Sequence, residues 1–171
     1  TCAQPRSFAG FENFTTLSIP VQAGGRFFYA LQDAIDHYFR WEDVDFGIDC
    51  PHCPRRALSS QRRHRLESYP KVLCLVLMRW IEDENAVSGH NVHMIRQLLI
   101  GGERYNLCSL VVQRGNAHDG PYWSICRHTV NQEDTWWVYN DAAELRVATE
   151  SDIDAPSDRG RAAWLIFESA A

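Results

Sequence analysis

Three segments in the second half of the chain decide its fold: Tyr105–Gln113 (YNLCSLVVQ), Tyr122–Arg127 (YWSICR) and Thr135–Tyr139 (TWWVY). They are rich in β-branched and aromatic residues, as β-strands are. The polar stretch from His128 to Asp134 predicts a turn that joins the last two segments into a hairpin. Glycines bound residues 115–120, which predicts a loop before that hairpin.

Further strands and one helix are predicted on both sides of these segments. Phe14–Val21 alternates like a strand with one buried face, and Trp164–Glu168 predicts a short closing strand. Lys71–Trp80 is almost wholly apolar, which predicts a central strand that is buried on both faces. Phe27–Arg40 follows the pair Gly24-Gly25 and has apolar residues spaced by three and four, which predicts an amphipathic helix. Together these elements predict an α+β domain dominated by an antiparallel sheet.

The composition is that of one folded domain. The chain has 171 residues, of which 45% are hydrophobic and 23% charged, so it can bury a core and is not disordered. Its net charge of −5 is not that of a nucleic-acid binder, and no apolar run approaches the roughly 20 residues of a membrane span. We therefore expect neither nucleic acid nor a membrane as a partner. The acidic stretch Glu150–Asp158 predicts a solvated loop.

The sharpest local motif is Cys50-Pro51-His52-Cys53. Two thiolates at this spacing can bind one Zn²⁺, and a structural zinc site takes four ligands. Cys2 is a third candidate ligand, so we expect a structural and incomplete zinc site. A redox-active cysteine pair and cysteines that bind nothing are the alternatives.

Cysteine and arginine positions bear on location and partners. Cys74 and Cys108 lie within apolar strand patterns and predict reduced thiols, which favours an intracellular location in cytoplasm or nucleus. Five arginines follow the Cys-x-x-Cys motif: Arg55, Arg56, Arg62, Arg63 and Arg65. A phosphate-binding patch is one interpretation of this cluster. A solvated arm, or a surface facing an acidic partner, is favoured because no aromatic residues are interleaved for base stacking.

A set of ordered motifs extends over nearly the whole chain. They comprise the knuckle cysteines Cys2 and Cys50/Cys53, the strands Phe14–Val21 and Tyr69–Trp80, the helical segment Leu31–Tyr38 with Glu42, the segments Leu107–Gly115, Asp119–Cys126 and Trp136–Asp141, and the closing strand Trp164–Glu168. In this order they resemble the fingers and palm of the ubiquitin-specific proteases, a family of ubiquitin carboxyl-terminal hydrolases. The resemblance implies a papain-like cysteine-protease architecture: an antiparallel sheet, a zinc-ribbon-like knuckle and no thumb. It also implies fingers over residues 1–68 and a palm over residues 69–171.

The same resemblance implies thiol-dependent cleavage of isopeptide bonds at the ubiquitin C-terminus, with ubiquitin or a ubiquitinated protein as the partner. The family's nucleophilic cysteine lies in a thumb region that precedes the matching part, so no cysteine of this chain matches it. The position of the general base is occupied by Pro121, and His118, three residues earlier, is a poor substitute. The base-orienting position matches Asn140, with Asp141 beside it.

Pro121 has no titratable group, so it cannot take a proton from a thiol. We therefore expect this chain, taken alone, to be inactive as a cysteine-type deubiquitinase. A non-catalytic pseudo-protease that binds ubiquitin is an alternative, and an unrelated zinc-ribbon interaction module is another. Asn140-Asp141 also has a plain structural interpretation, since this dipeptide is common in turns.

Overall fold

The computed structural model describes residues 10–44, 60–81, 86–88, 90–113, 121–140, 145–154 and 161–170. Within these ranges the chain forms strands and two helices, α1 (Leu31–Phe39) and α2 (Glu150–Asp154). The strands are β1 (Leu17–Pro20), β2 (Gln22–Ala23), β3 (Arg26–Phe27), β4 (Glu42–Val44), β5 (Ser60–Arg62), β6 (Val72–Met78), β7 (Trp80–Ile81), β8 (Ala86–Val87), β9 (Gln97–Ile100), β10 (Glu103–Gln113), β11 (Tyr122–Val130), β12 (Glu133–Tyr139), β13 (Arg146–Val147) and β14 (Arg161–Ser169). No helix in these ranges is long and apolar enough to cross a membrane.

One large sheet organises the structure, with strand order β1-β6-β14-β10-β11-β12-β13 and β9 paired to β10. The predicted α+β class, dominated by a sheet, is confirmed. The prediction of an antiparallel sheet is wrong at one edge, where β1 runs parallel to β6. Among the described residues, the chain between these two strands contains α1 and two pairs of short strands, β2–β3 and β4–β5, which is a connection long enough for a parallel crossover.

Strand β10 is shared among three neighbours. It pairs with β14 from Tyr105 to Gln113, with an irregularity in register around Cys108. Its other edge is divided, because β9 pairs with the first part, Glu103–Asn106, and β11 pairs with the last part, Ser109–Gln113. The sheet therefore forks beside residues 107 and 108.

The core lies between α1 and one face of the sheet, and α1 contributes Leu31, Ala34 and Ile35 to it. On β6, side chains alternate between buried and outward-facing, with Leu73, Leu75 and Leu77 buried and the intervening ones more exposed. Strand β6 does lie inside the sheet, but the prediction that both of its faces are buried is wrong. A continuous apolar run does not by itself distinguish a strand covered on both faces from a strand covered on one.

Four predicted elements have different bounds in the structure. Strand β1 occupies only the centre of the predicted Phe14–Val21 segment, whereas β10 and β14 extend beyond the predicted strands at 105–113 and 164–168. Helix α1 begins at Leu31 rather than Phe27. The reason is that Gly24 and Gly25, with φ of 55° and 75°, form the turn of a β2–β3 hairpin. Phe27 belongs to the second strand of this hairpin and not to the helix.

Helix α2 replaces part of the predicted loop Glu150–Asp158. A capping box starts it: Asp152 N–H donates to Thr149 Oγ1 at 3.4 Å, and Thr149 N–H donates to the Asp152 carboxylate at 2.7 Å. Arg146 donates two hydrogen bonds of 2.8 Å to the same carboxylate and holds the pKa of Asp152 well below its usual range. Ile153, only 2% exposed, anchors the helix in the core.

The β11–β12 hairpin has a tighter turn than the predicted stretch His128–Asp134. Its strands pair as far as Val130 and Glu133, which leaves a two-residue loop of Asn131 and Gln132. Both residues have positive φ, 52° and 68°. Such loops match the twist of the flanking strands, and glycine or asparagine adopts this conformation more readily than glutamine.

Replacing the strained glutamine, Gln132→Gly, should raise the free energy of unfolding by about 1 kcal/mol, because the left-handed conformation no longer crowds a Cβ atom. Chemical denaturation of both proteins measures the change. Asn131→Gly is the matched control and should have a smaller effect, because asparagine tolerates this conformation. A less stable Gln132→Gly protein would contradict the assigned turn.

Candidate functional site

Two positions that the family resemblance relates to catalysis, the predicted base-orienting residue Asn140 and Pro121 in place of the base, lie at the open end of the β11–β12 hairpin. Pro121 is exposed and immediately precedes β11, and Asn140 is partly buried and immediately follows β12. The ladder of the hairpin ends with Ser124 opposite Tyr139, so continuing the register by one residue places Asn140 opposite Trp123. The structure thus brings the base position and the base-orienting position to the same end of one hairpin.

The β10 strand ends beside the same site. Gln113 pairs with Tyr122, so the end of β10 and the start of β11 are neighbours. Tyr122 is 53% exposed, which leaves an aromatic side chain available on the surface next to Pro121. His118 and Asp141 lie outside the described residues, as do the three predicted zinc ligands Cys2, Cys50 and Cys53.

The three described cysteines, Cys74, Cys108 and Cys126, are free thiols, as predicted for the first two. Burial raises the pKa of the Cys108 thiol, Glu168 raises it further, and Arg127 acts in the opposite direction. The thiolate is the nucleophilic form, so this shift disfavours nucleophilic attack by Cys108. Cys126 lies five residues from Pro121 along β11, about 17 Å away in an extended strand. Neither thiol is arranged as the partner of a base at position 121.

A serine–histidine pair that the sequence analysis missed lies elsewhere in the structure. Ser88 Oγ lies 2.5 Å from His90 Nδ1, and His90 Nε2 lies 3.0 Å from the carbonyl oxygen of Phe28. A carbonyl only accepts, so Nε2 carries the proton and Nδ1 accepts from the serine hydroxyl. Arg79 adds a hydrogen bond of 2.8 Å from Nη1 to the His90 carbonyl.

This pair resembles a nucleophile with its base, but its burial indicates a structural role. Ser88 is only 3% exposed, so a substrate could not reach its hydroxyl, and Arg79 is only 8% exposed. Phe27 contacts the His90 ring at 4.6 Å between centroids. The network therefore ties the segment after β8 to the chain leading into α1. Residues 28 and 79 come close to residues 88 and 90 only in the folded chain, so no local sequence pattern predicts this network.

The arginines described after the Cys-x-x-Cys motif are engaged within the chain. Arg62 Nε donates to Glu42 at 2.5 Å, Arg65 Nη2 donates to Glu67 at 2.8 Å, and the Arg63 guanidinium lies 4.7 Å from the Trp41 ring centroid. These contacts support the interpretation of a solvated surface rather than a phosphate-binding patch. Among the described residues, no three His, Cys, Asp or Glu side chains are grouped to hold a metal ion.

The partly buried His90 predicts a pH dependence of stability. Burial lowers the pKa of His90 below its usual 6.5, and the nearby Arg79 also lowers it, against the opposing effect of the hydrogen bond to Phe28. The unfolded chain therefore binds more protons than the folded chain below pH 6.5, so the free energy of unfolding should fall as the pH drops through that value. His37, whose pKa is also lowered mainly by burial, acts in the same direction.

Chemical denaturation at pH 7.5 and 5.5 measures the fall, and His90→Gln should show a smaller fall than the unmodified chain. His93→Gln serves as the control for a histidine on the same segment. A fall of equal size in the unmodified chain and in His90→Gln would show that His90 does not carry the effect.

Comparison with known proteins now places the chain in a family. The family model for ubiquitin carboxyl-terminal hydrolase matches residues 31–167, which is most of the chain. Among curated proteins, none gives a significant match.

Solved structures support the same fold. A chain of the SAGA DUB module Ubp8/Sgf11/Sus1/Sgf73 bound to monoubiquitin superposes with a TM-score of 0.79 at 17% identity, covering 99% of this chain and 38% of that chain. The module bound to ubiquitin aldehyde gives 0.72 at 17% identity, covering 92% and 36%. The yeast SAGA DUB module with a variant Sgf73 gives 0.67 at 19% identity, again covering 92% and 36%.

These identities establish a shared fold, and the chain spans well under half the length of the chains it resembles. The family match is independent of that structural likeness and covers α1, the strands from β4 to β13, and most of β14. The chain therefore belongs to the ubiquitin carboxyl-terminal hydrolase family.

Proposed function

We propose that this chain is the ubiquitin-binding palm and fingers of a domain similar to the ubiquitin-specific proteases, and that it does not carry out thiol proteolysis by itself. The observation that carries the proposal is Pro121, exposed at the start of β11 in the position of the catalytic base. Family membership over residues 31–167 removes the alternative of an unrelated zinc-ribbon module.

The chemistry of the base position supports the absence of catalysis. A general base must lie within hydrogen-bond reach of the proton it removes, and it must accept that proton. Proline has neither a titratable group nor a side-chain hydrogen-bonding atom, so Asn140 at the same end of the hairpin has no imidazole to orient at position 121.

The proposed partner is ubiquitin. The solved structures with this fold are described as bound to monoubiquitin or to ubiquitin aldehyde. In the family, ubiquitin lies against the fingers and its C-terminal tail runs towards the site, so the surface around Pro121 and Tyr122 is where the tail would pass. The net charge of −5 is compatible with the basic surface and tail of ubiquitin.

Zinc binding by Cys50, Cys53 and Cys2 is part of the same proposal. Strands β4 and β5 pair antiparallel, with Glu42 opposite Arg62, and the Cys-x-x-Cys motif lies in the connection between them. The spacing of the two cysteines supports the proposal, because two thiolates separated by two residues can bind one Zn²⁺. The division into fingers over 1–68 and a palm over 69–171 stays a prediction. Zinc content of the purified chain, measured by atomic emission, tests the metal site.

The unmodified chain should bind ubiquitin in a calorimetric titration and release no fluorophore from the C-terminus of a ubiquitin–fluorophore conjugate. Pro121→His restores an imidazole but supplies no nucleophile, so this variant should also show no turnover and unchanged ubiquitin affinity. Pro121→Ala is the matched control for the loss of proline itself.

Turnover by the unmodified chain would contradict the proposed lack of catalysis. Absence of ubiquitin binding, in a preparation shown to be folded, would contradict the proposed partner. The two halves of the proposal therefore fail separately.

A further inference from the structure

Residues 90–94, which we call the strap, cross the start of helix α1. Within the strap, His93 pairs with Ala30 as an isolated parallel bridge. The N–H of His93 donates to the Tyr29 carbonyl at 2.6 Å, and its carbonyl accepts from the Leu31 N–H at 3.1 Å. Ala30, the residue before the helix, makes no side-chain capping bond. The strap therefore supplies an acceptor for the first N–H of α1, which has no partner within the helix.

A second contact, which we call the latch, joins the strap to the same part of the chain through the His90 ring. Nε2 of the ring donates to the Phe28 carbonyl, and Nδ1 accepts from the Ser88 hydroxyl. Ser88 is buried, and so is Arg79, whose guanidinium donates to the His90 carbonyl. The latch thus depends on a neutral imidazole that donates at one nitrogen and accepts at the other.

Protonation of His90 disturbs the hydrogen bonding of the latch. Both nitrogens of an imidazolium donate, so the Ser88 hydroxyl must then accept from Nδ1 and turn its own proton away from the ring. A buried hydroxyl proton that loses its acceptor is unfavourable. The Arg79 guanidinium acts in the same direction, because it places a second positive charge near the imidazolium. The closed latch therefore disfavours the protonated ring.

The other groups packed around the latch are mostly aromatic. The rings of Phe27 and Tyr29 lie 4.6 and 5.9 Å from the His90 ring between centroids. From α1, His37 lies 4.8 Å from the Phe28 ring. Within the ranges that the structure describes, no carboxylate contributes to the pKa shift of His90; burial is the main cause that lowers this pKa, and the hydrogen bond to Phe28 opposes it.

We propose that the latch makes the strap a pH-sensitive device: protonation of His90 breaks its contacts with Ser88 and Phe28 and raises the fraction of molecules in which the strap is detached from the start of α1. In the detached form the ring returns to water, so proton binding and detachment favour each other. Tyr29 lies between the latch and the bridge and is 68% exposed, so detachment changes the surface of the protein there. The proposal is independent of ubiquitin binding.

The size of the effect is bounded. Val92 and Met94 of the strap are 3% and 2% exposed and anchor it in the core, so the detached form is a minor state. A ring in water with the usual pKa of 6.5 is about ten parts protonated to one part neutral at pH 5.5. The detached fraction therefore rises by at most about tenfold between pH 7.5 and pH 5.5.

Amide hydrogen exchange read by NMR at pH 7.5 and 5.5, corrected for the intrinsic exchange rate at each pH, tests the proposal. The reporters are the N–H groups of Leu31 and His93, which detachment frees, and Leu110 in β10 reports global unfolding. Leu31 and His93 should be less protected than Leu110 at both pH values, and their protection should fall severalfold at pH 5.5. His90→Gln keeps a donor for the Phe28 carbonyl but cannot be protonated, so it should remove most of that fall.

Two further variants control the result. His93→Gln removes an exposed histidine of the same strap, so Leu31 should keep its full response to pH. His90→Asn is too short to reach the Phe28 carbonyl and should lower the protection of Leu31 at both pH values. Protection of Leu31 and His93 equal to that of Leu110 would overturn the proposal, because the strap would then open only with the whole domain. So would protection that does not fall at pH 5.5, an undiminished fall in His90→Gln, or unchanged protection in His90→Asn.

Discussion

A β-strand has two edges, and the whole structure depends on how β10 uses them. One edge is occupied throughout by β14, so the other must serve two partners in succession, β9 and then β11. The fork in the sheet is the direct result. Because β11 continues past the fork with β12 as its partner, the turn end of the hairpin extends beyond the part that pairs with β10.

The two ends of that hairpin have different surroundings. Its open end carries Pro121 and Asn140, the positions that the proposed function relates to the base and to the residue that orients it. Its turn end borders a cleft beside α2 that is lined by Arg96, Arg127 and the buried side chains of Leu107, Trp136 and Ile153. Strand β11 pairs with β10, and β12 pairs with β11. The position of β10 therefore also fixes where the two ends of the hairpin lie.

Much of the fold could be predicted from local patterns, and the errors have physical causes. The segments that became β10, β11, β12 and β14 are rich in β-branched and aromatic or other apolar residues, so their existence was predictable, as were the positions of Pro121 and Asn140 at the hairpin. The apolar run of β6 concealed its one-sided burial, because a continuous apolar run does not show whether one face of a strand is covered or both. The capping box Thr149–Asp152 was a readable signal for α2 that the charge of the segment obscured. The contacts of Phe28 and Arg79 with His90, and the cleft beside α2, have no local signature, because they join residues that are distant in sequence.

Native-state hydrogen exchange read by NMR tests the central role of β10 most directly. The account predicts that the slowest-exchanging amides lie in β10 and β14, because these strands are paired on both sides and carry the core residues Leu110 and Phe167. It also predicts that protection along β11 falls beyond Cys126, where the pairing with β10 ends. Uniform protection along β11, or exchange of β10 before that of the edge strands β1 and β13, would contradict it.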